Sequence, residues 1–428
     1  MDTHTAAPAT ADLRAAHQPH APDLRVYVIG LFFVFGGITS LNDIIIPDLK
    51  ALFTLDNAQA MSVQFAFFTS YLLVSLPAAA LVKRCGYMRT ATLGLATMTV
   101  GCLLFVPASR FGLFGAFLAA LFVLGGGITI VQIIANPLIS MLGPPRTAHS
   151  RLTLAQAFNS LGTTLFPRLG SMLILGALAG VDPSTLHGAG LLQFRGRATH
   201  VIVQAYLVLA GALALVAAVI WSRRNRLREP PFADEPILRA FTLLARPRFA
   251  FGTLCIFLYV GAEVAIGSFL VIFLSRPDVL GVSIQSAGNH VPFYWGGAMI
   301  GRFVGSALLR LFSPGKVLAG AAACAGALVL SAMASTGTAS GWSLLAVGLF
   351  NSIMFPTIFA LASEGLNERA HEGSGVICMA IFGGAVIPVL AGHVSDLATV
   401  RTAFLVPLVC YTLITAFGIY ARRPYAAG

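Results

Sequence analysis

Apolar runs of membrane-spanning length recur from residue 26 to residue 421, separated by short polar or basic turns. A helix needs about 20 apolar residues to cross the hydrocarbon core. Twelve runs meet that need, near 26–46, 61–82, 88–107, 112–137, 152–178, 200–221, 249–274, 287–309, 316–336, 341–363, 373–395 and 400–421. A β-barrel would instead alternate apolar and polar positions over short segments. The pattern predicts an all-α integral membrane protein with twelve transmembrane helices.

The longest polar connection, 222–248, follows the sixth run at the midpoint of the chain and is basic and rich in proline. It predicts two six-helix bundles, 26–221 and 249–421, joined by a linker and flanked by tails 1–25 and 422–428. The first tail is rich in Ala, Pro, His and Thr and lacks the apolar core of a signal peptide. Its histidines (His4, His17, His20) read as part of a disordered tail, not as a metal site.

The two halves repeat one another. Gln132 precedes Pro137 by five residues, and Asn351 precedes Pro356 by five. Gly162 precedes Pro167 by five, and Gly383 precedes Pro388 by five. Short basic turns, KRCGYMR and RLFSPGK, follow the second and eighth runs. Repeats in this order predict pseudo-symmetric bundles with a substrate site between them near the middle of the bilayer. A proline inside a span also frees a backbone carbonyl and permits a bend.

Composition agrees. Charged residues make up 10% of the chain and hydrophobic ones 57%, where a soluble domain carries about 25% charge. The net charge of +11 lies mostly in short turns, which argues against a nucleic-acid surface. With both termini inside, nineteen Lys and Arg fall in inner tails and loops and six in outer loops, which sets the orientation. The six cysteines are scattered with no CxxC pair, so packing is the expected role. No phosphate loop, HExxH or GxSxG occurs. Neither a cofactor nor ATP is expected, and ion coupling or simple diffusion remains as the energy source.

Ionisable groups inside spans are costly and mark function by default. Asp43, beside Asn42, lies near the outer part of the first span; its alternative role is that of an interfacial residue close to Pro47. Glu263 shares a helix face with Tyr259 at i,i+4, near Gly261, Gly267 and Ser268. Gln132 and Asn136, Gln156 and Asn159, and Gln64 and Tyr71 each fall on one face of their spans. Amides offer donors and acceptors suited to sugar hydroxyls, and the ring of Trp295 suits the apolar face of a pyranose. The competing role for each amide is a bond between helices, worth about 0.6 kcal/mol. Arg168 is expected to snorkel outward or to pair with Asp43. Arg302 is expected close to the inner face, bracing a gate.

Several longer stretches carry a family resemblance. LNDIIIPDLK, VQFAFFTSYLLVSLPAA, IIANPLISMLGP and RLTLAQAFNSLGTTLFP are similar to the fucose:proton symporter family of the major facilitator superfamily. YVGAEVAIGSFL, FYWGGAMIGRFVGSALL and LFNSIMFPTIFALASEGL resemble its glucose/galactose branch. The resemblance covers about residues 26–420. It implies the major facilitator fold and inward transport of a hexose, commonly with a proton, in a bacterial inner membrane. It places Asp43 in the central cavity and matches Gln156 and Asn159 to the amides of the AQxFNS motif. The fucose branch has a glutamate where this chain has Gln132, so fucose itself is disfavoured, and Asp43 and Glu263 remain as candidates for cation coupling. Candidate substrate contacts are Asn42, Gln64, Gln132, Asn136, Gln156, Asn159, Glu263, Trp295 and Asn351. Glucose, galactose, mannose and N-acetylglucosamine stay open, as does sodium in place of the proton. An efflux carrier is the rival class, although exporters favour apolar, aromatic cavities. Lipid is the expected surround, and a monomer the default state.

Overall fold

The computed structural model describes the backbone of residues 24–53, 57–111, 113–178, 189–226 and 236–423. Side chains are described there except at 41–53, 57–63, 110–111, 167–178, 189–199, 201–202 and 284–285. The expected tail 1–25 therefore falls almost wholly outside the described residues.

Among the described residues the chain forms twelve membrane-length helical rods, some of them broken. In the first half α1 is Leu24–Phe53, α2 Asn57–Cys85, α3 Tyr87–Phe111, α4 Phe114–Met141, α5 Ala148–Leu178 and α6 Ala189–Ser222. In the second half α7 is Pro247–Ser275, α8 Val291–Leu311 and α9 Pro314–Ala334. Next come α10 (Gly337–Asn351 and Met354–Ala362), α11 (Ala370–Met379 and Gly383–Leu397) and α12 (Val400–Ala403 and Leu405–Tyr420). Among the described residues, nine helices are long and apolar enough to cross a membrane. Of the other three, α1 and α5 have only part of their side chains described, and α8 has the length with a less apolar sequence.

The packing repeats as the sequence does. In the first half α3 packs on α4 and α6, α2 on α4, and α1 on α5. In the second, α9 packs on α10 and α12, α8 on α10, and α7 on α11. Between the halves α2 meets α11 and α5 meets α8. The central positions belong to α4 and α10, whose apolar windows are 78% and 83% buried, against 33% for α6 and 39% for α9. The least buried windows are thus those of α6 and α9, and α4 and α10 hold the interior.

The repeated glycines explain how close the rods come. A methyl group on Gly162 would lie 2.2 Å from the carbonyl oxygen of Phe33 on α1. One on Gly383 would lie 2.0 Å from the carbonyl oxygen of Phe257 on α7. Both neighbours are backbone atoms, so neither contact could relax by turning a side chain.

Three details differ from the sequence expectation. The eighth span begins at Val291, after a separate turn of helix at Ile284–Gly288, because Pro292 suits a first helical turn. The tenth is broken after Asn351, within one turn of Pro356. The stretch 222–248 contains an ordered 3₁₀ helix, Ile237–Ala245, which packs on α2, α7 and α11.

Candidate substrate and coupling site

The break in α10 organises the second half of the site. Asn351 is fully buried there, and its Nδ2 donates to the hydroxyl of Tyr294 on α8 at 2.8 Å. The carbonyl of Asn351 accepts the Tyr259 hydroxyl at 3.1 Å, and that hydroxyl also lies 2.8 Å from Glu263 Oε1. The i,i+4 spacing of Tyr259 and Glu263 thus becomes a hydrogen bond along α7. The buried ring of Tyr411 brings α12 to the same cluster, within electrostatic reach of Glu263. Trp295 packs edge-on against Tyr294 with ring centroids 5.1 Å apart. Its ring reaches the α7 face that carries Glu263, since a methyl on Gly267 would lie 3.6 Å from it. Trp295 is 43% exposed.

The first half carries its amides on α2, α4 and α5. Gln132 Oε1 accepts the Tyr71 hydroxyl at 3.0 Å, joining α2 to α4. Asn136 is fully buried, and neither atom of its amide has a hydrogen-bond partner among the described residues. An unpaired buried polar group costs about 1–3 kcal/mol, so Asn136 calls for a partner beyond the described side chains. Gln156 is buried on α5, and Gln64 is half-buried on α2. Asn159 is already engaged, its Nδ2 donating to the Phe32 carbonyl on α1 at 3.1 Å. It ties α5 to α1 at the glycine step, where Gly36 faces the same amide. Asn42, Asp43 and Arg168 lie on α1 and α5 at positions whose side chains are outside the described residues.

Arg302 connects the halves. Its Nη1 donates to Ser160 Oγ and, at 3.2 Å, to the Gln156 carbonyl, both on α5. Its Nε donates to the Ser352 carbonyl at 3.2 Å. That carbonyl stands four residues before Pro356, which has no N–H to offer it. The same logic holds in the first half. Pro137 frees the carbonyl of Ile133, and Ser374 Oγ of α11 donates to it at 2.8 Å. The sequence expectation puts Arg302 close to the inner face, bracing a gate. It lies eight residues before Arg310, roughly 12 Å further into the bundle at 1.5 Å per residue, at the level of Gln156. Its charge is within electrostatic reach of Glu263.

Below this level the arginine-rich end is closed. Lys83 of α2 pairs with Glu372 of α11 at 2.8 Å, and Arg369 holds the same carboxylate at 2.7 Å. His149 of α5 lies 3.2 Å from Glu364, which Arg248 also pairs with. Ser150 donates to the Ser306 carbonyl at 2.7 Å and accepts from Arg310 at 3.0 Å. At the far end Asp278 pairs with Arg276 and Arg401, both within 2.9 Å. Hydrogen bonding from Arg276, with a smaller share from Arg401, holds the Asp278 carboxyl below the usual carboxylate range.

A family model described as Major Facilitator Superfamily matches residues 28–385. The chain belongs to that superfamily. It is 46% identical to a glucose/galactose transporter of Brucella abortus over 92% of each chain. It is 32% identical to the L-fucose-proton symporter of Escherichia coli, covering 93% of this chain and 94% of that one. The crystal structure of the transporter FucP in the outward conformation superposes with a TM-score of 0.84 at 30% identity, covering 94% of this chain and 99% of that one. The superfamily's two-bundle fold is the one described above.

Within this facilitator fold, Glu263, Trp295 and Asn351 share one cluster, while Gln132, Asn136 and Gln156 sit on α4 and α5 of the other half. Sequence reasoning passed over Tyr294, Tyr411, Ser160, Ser352 and Ser374. Tyr294 had a signal, being next to Trp295 in the FYWGG stretch. Ser352 and Ser374 act through carbonyls freed by Pro356 and Pro137, so counting back four residues from each intramembrane proline would have pointed to one acceptor of each pair.

Proposed function

We propose that this protein imports a hexose by proton-coupled symport across a bacterial inner membrane, with both termini in the cytoplasm. The observation that carries the reading is the 46% identity to a glucose/galactose transporter along nearly the whole of both chains. The likeness to the L-fucose-proton symporter supports the proton as the coupling ion. The chemistry of the site is compatible: amides on α4 and α5 oppose a tyrosine–amide cluster with a carboxylate and an indole ring, the groups that bind polyols.

In this reading the arginine-rich end is cytoplasmic, as the positive-inside bias requires. Its closure by Lys83–Glu372–Arg369 and Ser150–Ser306 makes the state outward-facing. Sugar enters from outside between α4–α5 and α7–α8. Asp43 takes up the proton, Glu263 is a second acceptor linked to the gate through Arg302, and Asn136 and Gln156 supply hydroxyl contacts. Closing the outer end and loosening the inner pairs then releases both solutes inside.

The test is uptake of labelled hexoses by proteoliposomes under a proton gradient or a sodium gradient imposed separately. Accumulation of one hexose under the proton gradient is expected. Accumulation only with sodium would replace the coupling ion, and no hexose movement under either gradient would overturn the reading.

A further inference from the structure

The linker helix Ile237–Ala245 presents three different faces. In a 3₁₀ helix residues three apart lie above one another. Ala240 and Leu243 are buried against the bundle, below Ile237, which lies with Ala240 beside Leu76, Ala79 and Lys83 of α2. A second row is polar at Arg239 and Thr242, and Arg369 donates to the Arg239 carbonyl and the Thr242 hydroxyl, each at 3.0 Å. The third row is Leu238, Phe241 and Leu244, which are 71%, 39% and 39% exposed. Among the described residues a stripe of large apolar groups is thus uncovered at the arginine-rich end of a membrane protein, followed directly by the exposed Arg246.

We infer that this stripe docks into the headgroup–acyl boundary of an anionic lipid leaflet. Three observations select that occupant. The apolar row is one side chain wide and points away from the protein, as in helices that lie in the interface plane. The surrounding loops carry most of the chain's positive charge, which matches phosphatidylglycerol-type headgroups and not zwitterionic ones. The helix sits at the end of the bundle, where the leaflet surface must pass. Docking has a mechanical consequence. Arg369 bonds the linker helix with one nitrogen and Glu372 with another, and Glu372 pairs with Lys83 across the halves. The lipid surface thereby holds the closure through the linker.

The experiment uses the full chain reconstituted in vesicles, and no sugar enters it, so it stands apart from the transport reading. Cys85 and Cys324 are replaced by serine, the other four cysteines being buried. Nitroxides are placed one at a time by Leu238→Cys, Phe241→Cys, Leu244→Cys and, on the polar row, Ala245→Cys. Collision with oxygen and with a water-soluble nickel chelate is then measured. The expected oxygen-to-nickel ratio is several-fold higher at 238, 241 and 244 than at 245, and higher in phosphatidylglycerol vesicles than in pure phosphatidylcholine. Equal ratios at all four sites would mean a solvent-facing stripe and overturn the proposal. Low collision with both reagents would mean that protein covers it, from residues 227–235 or a second copy, and would overturn it too. Equal ratios in the two lipids would overturn the choice of an anionic leaflet.

Discussion

Ser374 Oγ donates to the carbonyl oxygen of Ile133 across the interface between the halves at 2.8 Å, filling the position that Pro137 leaves without a donor. This bond exists only while α4 and α11 are together at this level. Ser374→Ala should weaken the closed state by about 1 kcal/mol, or roughly fivefold in the closed-to-open ratio. Distance distributions between spin labels at the arginine-rich ends of α5 and α11 would read the shift. An unchanged distribution would remove the bond from the gate.

Arg302 serves the Ser352 carbonyl with Nε and α5 with Nη1. A lysine has one nitrogen and cannot span both positions. Arg302→Lys should therefore lower transport at least tenfold, with a smaller change in thermal stability. Full transport by the lysine variant would reduce Arg302 to a charge with no bridging role.

Asp43 and Glu263 are the two proposed proton acceptors, and neutral variants separate them. Asp43→Asn should abolish sugar accumulation while leaving exchange of labelled sugar across the membrane. Glu263→Gln keeps an acceptor for Tyr259 but cannot take up a proton, so it should weaken accumulation more than binding. Proteoliposome uptake and counterflow assays distinguish the two effects. Active accumulation by Asp43→Asn would sink its coupling role.

Gly162 and Gly383 occupy equivalent steps in the two halves, each against a backbone carbonyl. Alanine at either position should lower stability by about 1–3 kcal/mol through overpacking. The two losses should be similar in thermal melts in detergent, because the geometry repeats. A loss at one position alone would break the equivalence.

Asp278 is depressed below the usual carboxylate range by Arg276 and Arg401. A depressed carboxylate contributes stability that is complete above its unfolded pKa, about 3.9, and is lost as pH falls through its lower folded value. The melting temperature should therefore carry an acid-side drop below about pH 4 that Asp278→Asn removes. The drop should be small, since the pair is exposed to solvent.

The sequence by itself determined the solvent, the number of spans, the orientation bias and the twofold repeat. These follow from local quantities: the length of apolar runs, the charge of short turns, and glycine and proline at fixed offsets. The family was legible for the same reason, since its motifs are contiguous. The partners were not. Glu263 and Tyr259 could be paired from their spacing along α7, but their joining to Asn351, Tyr294 and Arg302 needed three helices brought together. Asn159 looked like a ligand for sugar, and only packing revealed its bond to Phe32. The linker read as a polar strap, because period-three burial over nine residues has no meaning until something lies on one side of it. Hydropathy is a property of each segment alone, whereas a hydrogen bond across a bundle depends on the register of two segments, and only the tertiary structure decides that.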